Sequence, residues 1–171
     1  MHGRFTPDIE ATLAPVVTAR ILYADTDRMG IVYHASFFRY LELARIELLR
    51  GAGISYVQLE KLGLGLPLIE VGVRFIKPAL YDDLITIHAG LSLVTRVRVS
   101  VQYRVVVEPG GREDTDEPVE ILTAETRHCC VEREDPKPAR LPLPAFELLV
   151  RQWKGDGPAP AEPLSGGTDR G

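Results

Sequence analysis

Residues 23–50 read YADTDRMGIVYHASFFRYLELARIELLR. From about Ala35 to Arg50 the pattern is that of a helix, about 24 Å long at ~1.5 Å per residue. Phe37, Leu41, Ala44 and Leu48 recur at i, i+4, i+7 and i+11 on one face, and Phe38 and Leu49 widen it. Tyr40, Leu43 and Ile46 place apolar groups on the other sides, so the helix is expected to be deeply enclosed. Gly51 and Gly53 end it, as glycine does at a helix C-terminus.

The flanking sequence has a different period. Val97, Val99, Val101, Tyr103, Val105 and Val107 alternate with Arg96, Arg98, Ser100, Gln102 and Arg104, which reads as a half-buried antiparallel strand. Ile85 to Leu93 and Ile69 to Phe75 repeat that alternation, and Val17, Ala19, Ile21 and Tyr23 form a first strand. Residues 119–132 make a last long strand, 109–118 a hairpin loop, and Pro144 to Lys154 a short C-terminal helix. One long helix among strands hides its apolar surface only against the apolar face of their sheet. The expectation is therefore an α+β hot-dog fold, a curved antiparallel sheet wrapped around one central helix. A sheet with edges and one polar face favours pairing with a second copy.

The chain has 171 residues, enough for one domain with a real core. Residues 1–14 read as a peripheral extension and 15–154 as the domain. The tail 155–171 holds eight Gly or Pro and reads as disordered. A formal net charge of -4, from 20 basic and 24 acidic residues, argues against a nucleic-acid partner. No apolar run approaches the roughly 18 residues of a membrane span, and the N-terminus does not read as a signal peptide. Cys129 and Cys130 are adjacent, and strand neighbours point to opposite faces, so they form no disulfide framework. A cytoplasmic protein is expected.

Asp25 and Asp27 sit between the first strand and the helix, Gly30 gives a flexible backbone point, and His34 and Ser36 lie at the helix start. The first turn of a helix has backbone N–H groups without internal partners, and the macrodipole adds about half a positive charge. A thioester carbonyl aimed there is polarised toward a tetrahedral oxyanion, and a nearby carboxylate is able to attack it or to activate water. The same two aspartates also suit plain capping and turn roles, and spacing alone favours those.

The segment DTDRMGIVYHASFFRYLELAR resembles the signature of the 4-hydroxybenzoyl-CoA thioesterase-like family, and is most similar to its acyl-CoA thioester hydrolase branch of the Tol–Pal-cluster-associated type. The shared positions are Asp25, Asp27, Gly30, Val32, Tyr33, His34, Glu42, Ala44 and Arg45, and RFIKPALYDDLITI resembles the family's second and third strands. The likeness covers about residues 16–152. It implies an acyl-CoA thioesterase without a cofactor or metal, acting as a homodimer or homotetramer. It further implies Asp27 as nucleophile or general base, His34 as carbonyl-polarising donor through its backbone N–H, and Gly30, Ile31, Val32 and Tyr33 as shapers of the substrate site. Asp25 matches a recurrent position with a structural role.

Other residues were weighed. Glu42 and Arg45 are three apart on the helix and suit an ion pair better than catalysis. His128 and Cys130 lack the further ligands a metal site needs. Arg74, Lys77, Arg96 and Arg98 are candidates for coenzyme A phosphates, though solvated strand faces account for them as well. A hydratase or dehydratase acting on acyl thioesters and a non-catalytic acyl-CoA-binding protein are the competing functions. Acyl chain length, and coenzyme A against acyl carrier protein, stay open.

Overall fold

The computed structural model describes residues 11–113, 116–155 and 164–165. The expectations for the extension before residue 11 and for most of the tail lie outside these residues. In chain order the elements are β1 (Ala14–Arg20), α1 (Phe37–Gly51), α2 (Tyr56–Lys61), β2 (Leu64–Gly65), β3 (Leu68–Phe75), β4 (Leu84–Val94), β5 (Arg98–Val107), β6 (Val119–Cys129), β7 (Val131–Glu132), α3 (Leu143–Trp153) and β8 (Leu164–Ser165). Six strands form one sheet in the order β3-β6-β5-β4-β1-β8, antiparallel except where β8 runs parallel to β1. The short β2 and β7 pair separately.

Register fixes which side chains face the helix. Val105 pairs with both Ile87 and Leu122, and Tyr103 pairs with both Ala89 and Ala124, so these residues share one face. They are buried together with Phe37, Leu41, Ala44 and Leu48 of α1, which packs on β1 and β4. The result is the hot-dog architecture, a sheet curved around one central helix.

The structure differs from the sequence reading at several element ends. The first strand closes at Arg20, and Tyr23–Asp25 is a 3-10 turn. The long helix begins at Phe37 because His34–Ser36 forms a separate 3-10 turn. The last strand breaks at Cys130, where pairing passes from β5 to β2. The outer face of the sheet is not a solvated one. Ser92, Ser100, Gln102 and Glu125 are buried there, Ser92 donates to Glu125 at 3.3 Å, and the Ala11 N–H donates to the Gln102 carbonyl at 2.9 Å. The N-terminal strap crosses at Gly90, where a Cβ would come within 2.2 Å of the Thr12 carbonyl oxygen.

Candidate active site

The segment between β1 and α1 folds into a small hairpin. Thr26 bridges Val32, the Asp27 N–H donates to the Ile31 carbonyl at 2.9 Å, and the Tyr33 N–H donates to the Asp25 carbonyl at 2.8 Å. Its tip is the turn Asp27–Gly30, closed by the Gly30 N–H on the Asp27 carbonyl at 3.0 Å. Gly30 has φ +75°, a left-handed conformation costly to any residue with a Cβ.

The tip sets the Asp27 side chain. One carboxylate oxygen accepts the Met29 N–H at 2.7 Å, which holds the group in an Asx turn. The other oxygen has no hydrogen-bond donor among the described residues, and Asp27 is only half-buried. A carboxylate with one oxygen tethered and one open is oriented without being consumed.

His34 opens the 3-10 turn before α1 and its ring lies against Tyr33, with centroids 4.3 Å apart. The Ser36 N–H donates to the Tyr33 carbonyl at 2.8 Å, but the His34 N–H has no acceptor among the described residues. Val32 is buried in the core, so it shapes the site through its backbone, whereas Tyr33 and Gly30 are exposed and Ile31 half-exposed.

Asp25 is the opposite of Asp27. It is 2% exposed and does not cap α1, but it closes a capping box on the 3-10 turn Tyr23–Asp25. Its carboxylate accepts the Tyr40 hydroxyl at 2.6 Å, the Leu22 N–H at 3.3 Å, and the Arg39 guanidinium. Its backbone carbonyl accepts Tyr33 N–H and the Ser36 hydroxyl, the latter at 3.2 Å. Asp25 thus ties the hairpin to the first turns of α1. Burial, and next the bond to Asp25, push the Tyr40 hydroxyl well above its ordinary pKa.

Beside α1 lies a cavity of about 560 Å³, reached along the face Phe38, Leu41, Glu42 and Arg45. Arg45 pairs with Glu42 at 3.6 Å and donates to the Tyr56 hydroxyl at 2.5 Å. Burial, and next the Arg45 charge, push His128 down to about 4, so its ring is neutral at ordinary pH. Only an N–H can face the Leu66 carbonyl, so Nδ1 donates there at 3.1 Å. Nε2 then accepts the Thr126 hydroxyl at 3.0 Å, and Thr126 accepts the Tyr103 hydroxyl at 2.9 Å. Both ring nitrogens are engaged in holding the cavity floor. Arg96 is likewise structural, donating to the Leu141 carbonyl at 2.9 Å under Phe146. Arg74, Lys77 and Arg98 are exposed.

Asp27, Gly30 and His34, singled out from the sequence, lie on one hairpin and the turn that follows it, whereas the clamp made by Asp25 and the cavity were not anticipated. The clamp had one signal, a tyrosine and an arginine in the first turn of a helix that follows an aspartate. Nothing in the sequence said that they meet.

Comparison with known proteins covers this whole region. Residues 21–151 match the model of the Thioesterase-like superfamily. A putative esterase of Aquifex aeolicus is 32% identical over 76% of this chain and 93% of its own length. The putative acyl-CoA thioesterase YneP of Bacillus subtilis is 29% identical over 69% of this chain and 80% of its own. A hypothetical protein of Thermus thermophilus, known from its crystal structure, is 29% identical. It superposes with a TM-score of 0.70 over 81% of this chain and 99% of its own.

Proposed function

The chain belongs to the thioesterase-like superfamily, and on that premise we propose that it hydrolyses an acyl-CoA thioester to the free acid and coenzyme A. Asp27 is the catalytic carboxylate, as nucleophile or as general base for water, and the His34 N–H polarises the carbonyl. The observation that carries the reading is the Asp27 carboxylate, tethered through one oxygen and open at the other, on the same hairpin as an unused N–H ahead of α1. The names of relatives such as YneP give the substrate class.

In this reading the carbonyl oxygen accepts the His34 N–H, and developing negative charge is met by that donor and the start of α1. With Asp27 as base, water gives it a proton and attacks the carbonyl carbon, the C–S bond breaks, and the thiolate takes up that proton and leaves as coenzyme A; with Asp27 as nucleophile, the C–S bond breaks to give an acyl anhydride on Asp27, which water then hydrolyses to the free acid. Gly30, Ile31 and Tyr33 frame the approach, and the acyl group extends into the cavity beside α1. The β3 strand pairs on one side only and exposes Leu68, Ile69, Val71 and Phe75, which supports a homodimer, or a homotetramer built from it, joined along that edge. Two free cysteines, one of them buried, accord with the cytoplasm.

The test is thiol release from short, medium, long and aromatic acyl-CoAs by the wild type and Asp27→Asn side by side. The expected result is turnover that falls about a hundredfold or more in the variant, the worth of a positioned base. Full activity in Asp27→Asn removes that residue from the mechanism. Conversion of an enoyl thioester to its hydroxyacyl form without thiol release makes the protein a hydratase instead.

A further inference from the structure

Near the catalytic hairpin two large aromatic side chains are held in the open. Tyr23 is 78% and Tyr81 58% exposed, and their rings meet edge to face at 5.8 Å and 84°. Neither position is loose. Tyr23 starts a 3-10 turn, and its carbonyl accepts both the Thr26 N–H at 3.1 Å and the Thr26 hydroxyl at 2.8 Å. Tyr81 precedes Asp82, whose φ of +70° turns the chain sharply. The Asp82 N–H donates to the Ile21 carbonyl at 3.1 Å, and Arg20 donates to the Asp82 carbonyl at 2.7 Å and pairs with its carboxylate at 3.3 Å. Two backbone segments are thus fastened together so that two rings stand at a right angle in solvent.

A right-angled pair of rings makes a notch for a flat heteroaromatic group, which stacks on one face with its edge against the other ring. The same two loops bring cations. Arg28 follows Asp27, and Lys77 lies four residues before Tyr81. Both are exposed and neither has an ion-pair partner among the described residues. The loops are joined beside the site, Ile31 bridging Leu80 and the Val32 N–H donating to the Ala79 carbonyl at 2.9 Å. Two exposed rings on loops that also carry two exposed cations fit an anionic aromatic ligand. The apolar surface open to a second copy of the chain is instead the β3 strand.

We propose that Tyr23 and Tyr81 form the stacking platform for the adenine of coenzyme A, with Arg28 and Lys77 facing its phosphates. This rests on the thioesterase reading and deepens it, because it makes the nucleotide, and not only the acyl group, part of what the protein recognises. A carrier that offers pantetheine without adenine forgoes the platform.

The experiment compares kcat/KM for one acyl group carried on coenzyme A and on pantetheine. Wild type is expected to prefer the coenzyme A thioester. Tyr23→Ala and Tyr81→Ala each shrink that ratio by about five- to a hundredfold, the range alanine substitution gives for a stacked base. Tyr81→Phe, which keeps the ring, keeps the ratio. Adenosine 3′,5′-bisphosphate competes with the acyl-CoA in wild type and loses that competition in the alanine variants. Equal turnover of both thioesters by wild type, or a ratio unmoved by either alanine, overturns the platform and leaves the thioesterase reading standing. A change in sedimentation of the alanine variants also overturns it, since a second copy would then cover the rings. If wild type hydrolyses neither thioester, the thioesterase reading fails and the platform falls with it.

Discussion

Replacing Asp25 is the perturbation that best separates anchoring from chemistry at this site. The carboxylate is 2% exposed and takes three donors, from Tyr40, Leu22 and Arg39. In Asp25→Ala the Tyr40 hydroxyl, in a residue 8% exposed, loses its acceptor, at a cost of about 1–3 kcal/mol. The Arg39 side chain is 67% exposed, so water takes over its charge and that pair contributes no more than about 1 kcal/mol. The sum, about 1–4 kcal/mol, corresponds to a Tm lower by roughly 2–16 °C for a chain of this size. Asp25→Asn retains an acceptor for Tyr40 and should lose about half as much. Calorimetry of Asp25→Ala, Tyr40→Phe and the double variant then isolates the coupling, which should reach about 1–3 kcal/mol because both single changes break one bond. Activity must follow. The Asp25 carboxylate fixes the hairpin to α1 through Arg39 and Tyr40, and that hairpin carries the His34 turn, so Asp25→Asn should lower kcat about tenfold or more with little change in KM. Strictly additive stabilities, or an Asp25→Asn enzyme with wild-type kcat, would refute this account of the clamp.

Gly30→Ala meets no atom within 4 Å, so its cost is backbone strain at φ +75°, about 1–2 kcal/mol, with a fall in kcat as the Asp27 turn shifts. Gly30→Asn should lose less in a melting and turnover comparison, since asparagine tolerates the left-handed region, and equal losses in both would point to space rather than strain. His128 makes stability depend on pH. Its folded pKa of about 4 lies below the ordinary 6.5, so the unfolded chain binds the extra proton between those values and stability falls as pH falls through that window. The loss by pH 4 is about 3 kcal/mol, at 1.36 kcal/mol per pKa unit. Urea midpoints from pH 7 to 4 should drop more steeply in wild type than in His128→Gln, and parallel curves would remove His128 as the cause.

Much of the fold was legible because it depends on patterns within single elements. The long helix and the alternating strands 84–94 and 98–107 announce themselves by period, but the helix is not enclosed all round, since Phe38 and Leu43 are exposed. What was misread depends on contacts between distant residues or on local bonds without a period. The His34–Ser36 turn is set by one bond to the Tyr33 carbonyl, and α2, six residues long, is too short to display a helical repeat. The break at Cys130 follows from a change of pairing partner across sixty-odd residues of chain, from β5 to β2. The buried outer face was misjudged because Ser100, Gln102 and Glu125 look solvated until something crosses them; the Gln102 side chain then accepts the Ala11 N–H, and Glu125 accepts Ser92 and Arg127.

Asp25 and Asp27 show why the candidate site was half legible. They are the same residue type, two positions apart, and the sequence offers no difference between them in reach or charge. Their roles separate only when their donors are counted. Asp25 meets a hydroxyl, a guanidinium and a backbone N–H, which occupy both oxygens and remove it from solvent. Asp27 meets one backbone N–H and keeps an oxygen free toward solvent. A carboxylate whose oxygens are both taken is a poor nucleophile or base, since either role first breaks bonds that hold the fold. On the proposed mechanism the tethered and open one begins the reaction already oriented, and the environment, as in other sites with two carboxylates, divides the work between them. Exchange of the two roles would require moving Arg39 and Tyr40, which belong to α1 and are fixed by its packing on β1 and β4. The helix that closes the core is therefore the same element that binds up the Asp25 carboxylate and leaves Asp27 as the one the proposed mechanism can use.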